Sequence, residues 1–144
     1  MVKQYLSLEQ LNKWSVGTMV ELLGIEFTEV GSDYLIARMP VTEKLYQPNR
    51  IMHGGASLAL AETVGGALSA VIIDPEKYAV RGITINANHV KAVRDGNVWA
   101  KATFIHKGTS THVIEIRISN DSEQLVSVTR LTNFIAEHKQ LNGK

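Results

Sequence analysis

Glu62 is the only charged side chain in the twenty residues from Gly54 to Ile73, GGASLALAETVGGALSAVII, and its neighbours on both sides are apolar or small. Taking an unpaired carboxylate out of water costs several kcal/mol or forces it to protonate, so a chain that keeps one in its most apolar segment points to its use. A carboxylate can take a proton from water, or attack an electrophilic carbon itself. The competing reading is a glutamate that meets a Lys or Arg from another element. Composition closes off other chemistry. There is no cysteine, which excludes disulfides, a thiol nucleophile and thiolate metal ligation. The five histidines, at 53, 89, 106, 112 and 138, form no H-x-x-x-H pair and no carboxylate cluster, so neither a metal nor another cofactor is expected.

The segment carrying Glu62 is long enough to cross a membrane, but it has a central charge, breaks at Gly65, Gly66 and Ser69, and no partner span. A helix apolar all round in a soluble protein is predicted to be covered on every side by sheet or by other helices. The sheet is legible in residues 34–39, 80–90, 97–105, 112–118 and 125–135, which are rich in Val, Ile, Thr and aromatics. In 112–118, Ile114, Ile116 and Ile118 share one face and Glu115 and Arg117 the other, as in a sheet with one buried face. Turn signals separate the strands at Gly31-Ser32-Asp33, Asp95-Gly96, Lys107-Gly108 and Asn120-Asp121-Ser122. An amphipathic helix is predicted over about 7–23, opened by a capping box at Ser7 and Gln10, with Leu8, Leu11, Met19, Leu22 and Leu23 as its apolar face and its end at Gly24.

One helix, one or two strands, a long buried helix and then successive strands make an α+β arrangement: an antiparallel sheet wrapped around one helix, in a single domain over residues 1–144. Lys plus Arg total 15 against 14 Asp plus Glu, a formal charge of +1, with no basic stripe interleaved with aromatics, so nucleic acid is not an expected partner. The N-terminus lacks the apolar core of a signal peptide, and a cytoplasmic protein with no membrane partner is expected.

Gln47-Pro48, His53-Gly54-Gly55-Ala56-Ser57, Ala61-Glu62, Gly65, the run Ile85-Asn86-Ala87-Asn88-His89-Val90 and His106-x-Gly108 together resemble the hotdog-fold acyl-CoA thioesterases, over about residues 8–136. The nearest likeness is to the branch that hydrolyses aromatic acyl-CoA thioesters, especially 1,4-dihydroxy-2-naphthoyl-CoA in menaquinone biosynthesis. The resemblance implies hydrolysis of an acyl-CoA substrate to free acid and CoA. It implies a catalytic set of Glu62, His53, Gln47 and Gly54, with Gln47 orienting the thioester or the water and His53 bonding near the carbonyl or leaving group. It also implies that Gly82, the segment His89, Val90, Lys91 and Ala92, and the turn His106, Lys107, Gly108, Thr109, Ser110 and Thr111 hold the pantetheine arm and nucleotide. Finally, it implies a homodimer whose active sites take residues from both chains, paired into a homotetramer.

The chemistry of the residues agrees with that reading. A helix start offers unpaired N–H groups at the positive end of its dipole, and Gly54-Gly55 lets a carbonyl come close, so the Gly54 amide is the candidate oxyanion donor. A plain turn explains the same pair of glycines, helix capping explains a lone His53, and a solvated loop explains 106–111. Gly54 and Glu62 lie about 12 Å apart along one helix, too far for one thioester carbonyl to touch both. Two such helices packed antiparallel about an axis near residue 58 would bring Gly54 of one level with Glu62 of the other. At Gly66, one turn beyond Glu62, many relatives carry Ser or Thr; the missing hydroxyl leaves Thr63, Ser69 or a partner group to hold the hydrolytic water. A hydratase or dehydratase on the same fold and a non-catalytic acyl-CoA-binding module are the alternatives.

Overall fold

The computed structural model describes residues 2–141. In chain order its elements are α1 (Leu8–Trp14), α2 (Met19–Leu22), β1 (Glu26–Val30), β2 (Tyr34–Pro40), a 3-10 turn (Glu43–Leu45), α3 (Gly54–Ile72), β3 (Tyr78–His89), β4 (Asn97–Lys107), β5 (Thr111–Asn120), β6 (Leu125–Glu137) and α4 (His138–Leu141). The capping box forms: Ser7 Oγ accepts from the Gln10 amide at 3.2 Å, and Gln10 Oε1 accepts from the Ser7 amide at 2.8 Å. The single helix predicted over 7–23 does not. Gly17 takes a left-handed φ of +76°, which no helix continues through, and the Thr18 side chain caps a second short helix. As a result only Leu11 of the α1 apolar face is buried, while Met19 and Leu22 point to solvent.

The six strands form one antiparallel sheet in the order β1-β2-β4-β5-β6-β3. Alternation sets its inner face: Leu35, Ala37 and Met39 on β2, Val98, Ala100 and Ala102 on β4, and Ile114, Ile116 and Ile118 on β5 are all fully buried. Against them pack Leu60, Ala61, Val64 and Leu68 of α3. Gly65 sets the closeness of this contact, since a Cβ there would lie 2.6 Å from Leu131 Cδ2.

The expectation of a helix covered on every side is not met within one chain. α3 buries the face that runs from Ser57 through Leu60, Ala61, Val64 and Leu68 to Val71, whereas Gly55 and Glu62 are exposed and Ala59, Thr63 and Gly66 half-buried. A single sheet has only one face to offer a helix, and α1 and α2 are too short to cover the other. The uncovered stripe is made of Gly, Ala and Thr, whose small side chains gave the segment its apolar character without requiring burial. By length and composition α3 would cross a membrane, yet half of its most apolar window is buried inside this fold, as in a core helix.

Candidate active site

The helix start is shaped by the loop before it. Tyr46 bridges to Met52, the Tyr46 hydroxyl donates to the Arg94 carbonyl, and the Gln47 amide donates to the Ile51 carbonyl at 2.8 Å. Arg50 adopts a φ of 62° to close this turn. Gln47 Oε1 accepts from the Asn49 amide at 2.7 Å, and the side-chain NH2 has no acceptor among the described residues. His53 is the N-cap of α3, its Nδ1 accepting from the Gly55 amide at 2.7 Å, so the capping role is real and the neutral ring carries its proton on an exposed Nε2. With the Gly55 amide taken by the cap, the Gly54 amide is left with no partner among the described residues. Gly54 also needs to be glycine, because a Cβ would sit 2.8 Å from His89 Nε2, and the His89 ring is held there by a 3.0 Å bond between its Nδ1 and Ser127 Oγ. Gln47, Gly54, Ser57, His89 and the segment 90–92 line one hollow of about 370 Å³.

Glu62 opens into a different hollow, of about 440 Å³. Its apolar wall is Leu11, Trp14, Val20, Phe27 and Val80, and its polar edge is Glu62, Thr63, Gly82 and Asn133, with Gly66 between them. The missing side chain of Gly82 makes room for the carboxylate: a Cβ there would lie 2.9 Å from Glu62 Oε1. Glu62 has no ion-pair partner among the described residues, which removes the reading of a glutamate held by a cation in its own chain.

Beneath this hollow lies a buried polar cluster. Asn133 Nδ2 donates to the Gly65 carbonyl at 3.2 Å and to Ser69 Oγ at 2.9 Å, and His112 Nδ1 shares the same hydroxyl at 2.9 Å. A carbonyl only accepts, so the bond to Gly65 fixes which end of the Asn133 amide is nitrogen. Its Oδ1 is buried without a partner among the described residues, an omission that costs about 1–3 kcal/mol if nothing fills it. His112 packs edge-on against Phe104 at 5.3 Å, and burial, aided by Lys107 and His106, holds its pKa below the usual histidine value against a bond to the Gly108 backbone.

The predicted CoA-contacting residues divide between these two places. His89, Val90, Lys91 and Ala92 join the Gly54 hollow. Gly82 lies with Glu62, and the turn 106–111, closed by the Gly108 amide on the Thr111 carbonyl at 2.9 Å, lies at the Gly82 end of the sheet, since His112 pairs with Asn133 and Asn133 with Gly82. Ser127 pairs with His89 and Asn133 with Gly82, so about 20 Å of strand β6 separates the two groups.

Residues 49–127 match the model of the thioesterase superfamily. The chain belongs to that family. This thioesterase is 38% identical over 133 residues to the 1,4-dihydroxy-2-naphthoyl-CoA hydrolase of Escherichia coli, covering 92% of this chain and 97% of that one. To the proofreading thioesterase EntH of Cronobacter turicensis it is 39% identical over 133 residues, covering 92% and 96%. A solved mutant thioesterase from Pseudomonas aeruginosa superimposes with a TM-score of 0.91 at 38% identity, covering 94% of this chain and 97% of that one. The fold is accordingly the hotdog fold, and the activity at family level is hydrolysis of acyl-CoA-type thioesters. Asn133, Ser127 and the apolar wall around Trp14 were not singled out in the sequence. The parity of β6 carried a signal for the first two, because Ser127 and Asn133 share the inward parity of Leu131 and Ile135 and are polar where the core calls for apolar residues.

Proposed function

We propose that this thioesterase hydrolyses acyl-CoA thioesters of aromatic acids at two identical sites in a homodimer. Each site takes Gln47, His53 and Gly54 from one chain and Glu62 from the other. The observation that carries this reading is the separation of a free oxyanion donor and an unpaired carboxylate into different hollows of one chain. Within one chain His89 lies beside Gly54, and Gly82 beside Glu62. A two-fold axis that sets Gly54 against the Glu62 of a second chain therefore also carries the segment 89–92 towards that chain's Gly82 and turn 106–111, and reunites the whole predicted set. β3 offers the surface for it, a long edge strand along which residues 81–84 are exposed.

In such a site the free Gly54 amide and the Gln47 NH2 face the thioester oxygen, where charge develops, and Glu62 takes a proton from water as the water oxygen bonds to the carbonyl carbon. The tetrahedral adduct then collapses, the C–S bond breaks, and the proton passes from Glu62 to the leaving thiolate. Trp14 and Phe27 in the wall beside Glu62 suit a flat aromatic acyl group. A role in menaquinone biosynthesis rests on the relative named for 1,4-dihydroxy-2-naphthoyl-CoA, whose identity to this chain matches that of the proofreading thioesterase. Release of free thiol from naphthoyl-type, benzoyl-type and aliphatic CoA thioesters tests the reading, with kcat/KM expected to be highest on an aromatic thioester. Glu62→Gln should lower kcat at least about a hundredfold on every substrate that turns over. Tight binding with no thiol released from any of them would identify a binding module instead. Mass measurement in solution reads the dimer, and the tetramer the resemblance implies.

A further inference from the structure

We infer that Asn133 holds the hydrolytic water against Glu62 and stands in for the hydroxyl that is missing at Gly66. The inference rests on the proposed role of Glu62 as base. A water poised for attack needs two acceptors to fix its two O–H bonds, so that its lone pair faces the carbonyl carbon. Glu62 is one. Thr63 spends its hydroxyl hydrogen on the Ala59 carbonyl at 2.7 Å, within its own helix, and offers the water only the remaining lone pairs of that oxygen. Ser69 is fully buried, and its hydroxyl is shared by His112 and Asn133. Asn133 Oδ1 has the required properties: it only accepts, it has no partner among the described residues, and both N–H bonds of its amide are anchored, to Gly65 and Ser69, so its direction is set. It also borders the right place. A Cβ on Gly82 would lie 2.9 Å from Glu62 Oε1 and 3.7 Å from Asn133 Oδ1, so both oxygens border the spot beside Gly82 that the carboxylate now occupies. Two acceptors cannot bond directly, and a water that enters beside Gly82 as the carboxylate swings aside donates to each. The Glu62 side chain is exposed and free to swing aside, while Asn133 stays fixed below it.

The test is a double-substitution cycle in the full-length protein. Gly66 has nothing within 4 Å of a side chain's first carbon, so Gly66→Ser supplies a hydroxyl one helical turn from Glu62 without a clash inside its own chain. Asn133→Ala should lower kcat about ten- to hundredfold with KM within about threefold, since the water is used only in the chemical step. Adding Gly66→Ser to Asn133→Ala should restore at least about tenfold of that loss. A hydroxyl at position 66 does not refill the volume that Asn133→Ala empties, so no recovery in a protein that melts cooperatively would overturn the assignment. Should Asn133→Ala fail to fold, Gly66→Ser alone decides: a rise of about tenfold or more in kcat means that the native site lacks a second anchor, and no gain means that it has one. If the native protein releases no thiol at all, the proposed function has failed. If it does, and the cycle shows no coupling, only the role of Asn133 has failed.

Discussion

Mixing two inactive chains should restore activity if each site draws on both. The chosen pair is Glu62→Gln, which spoils the carboxylate half, and Gln47→Ala, which spoils the donor half. Each homodimer then has two dead sites, at about a hundredth of native activity, the usual cost of removing a base or an oxyanion donor. In a heterodimer the site that pairs the intact Gln47 of one chain with the intact Glu62 of the other is whole, and its twin carries both defects. Random exchange of equal amounts makes half the dimers heterodimers with one live site in two, so thiol release should climb to about a quarter of the native rate per chain. A second mixture changes the sign. Native chain exchanged with a chain carrying both substitutions loses both sites in every heterodimer, so activity should fall to about half of the unexchanged value. If each site lay within one chain, the first mixture would stay dead and the second would lose nothing. Either result, in samples shown by native mass spectrometry to contain heterodimers, refutes the shared site.

Three other outcomes follow from the geometry. Lys91→Ala should raise KM for CoA thioesters with kcat nearly unchanged and should leave an acyl-pantetheine substrate indifferent, because an exposed lysine beside the Gly54 hollow suits a phosphate; the effect should fade with salt. Gly82→Ala should lower kcat about tenfold or more while the melting temperature drops little, since the new methyl group meets the movable end of Glu62 at 2.9 Å; native kcat in this variant would show that the carboxylate does not work from that position. His112 is held neutral by burial, so above its ordinary value of 6.5 it costs nothing, and as pH falls below that value the unfolded chain takes up the proton first and stability declines. The melting temperature should therefore drop from about pH 6.5 downwards, and His112→Gln, which has no proton to gain, should flatten that slope.

Much of the fold was legible because strand alternation is a strict code. Ile114, Ile116 and Ile118 were assigned to the buried face from spacing alone, and they are fully buried. The N-terminal helix was misread because apolar spacing at Leu8, Leu11, Met19 and Leu22 continues across Gly17, whose left-handed backbone breaks the helix. Within the site, Gly54 was legible as the start of a helix and the capping reading of His53 holds, while the part proposed for His53 near the thioester rests on the resemblance. Gln47 had no signal beyond the resemblance, and the CoA-contacting segments only the general fit of cations, hydroxyls and a glycine turn to phosphate oxygens. The apolar wall was hidden for a physical reason: Trp14 belongs to α1 and Phe27 to β1, and no local pattern tells that they meet a helix some forty residues further along.

The error about α3 is the most instructive, because it turns an apparent failure of the sequence into a statement about assembly. A carboxylate in an apolar helix was expected to be buried; in one chain it is exposed, flanked by Ala59, Thr63 and Gly66. Small residues on an uncovered helix face gain little from facing water and leave room for a close neighbour. The edge strand β3 beside it exposes Ile83 and unpaired backbone along residues 81–84. Both features lie on the same side as Gly82, which joins them through its contact with Glu62. One partner that paired with β3 would also cover the bare stripe of α3, exclude water from Glu62 and strengthen every electrostatic contact there. The burial that the sequence called for would then belong to the proposed dimer, and a chain held monomeric by a charged substitution at Ile83 should lose thiol release while it keeps its fold.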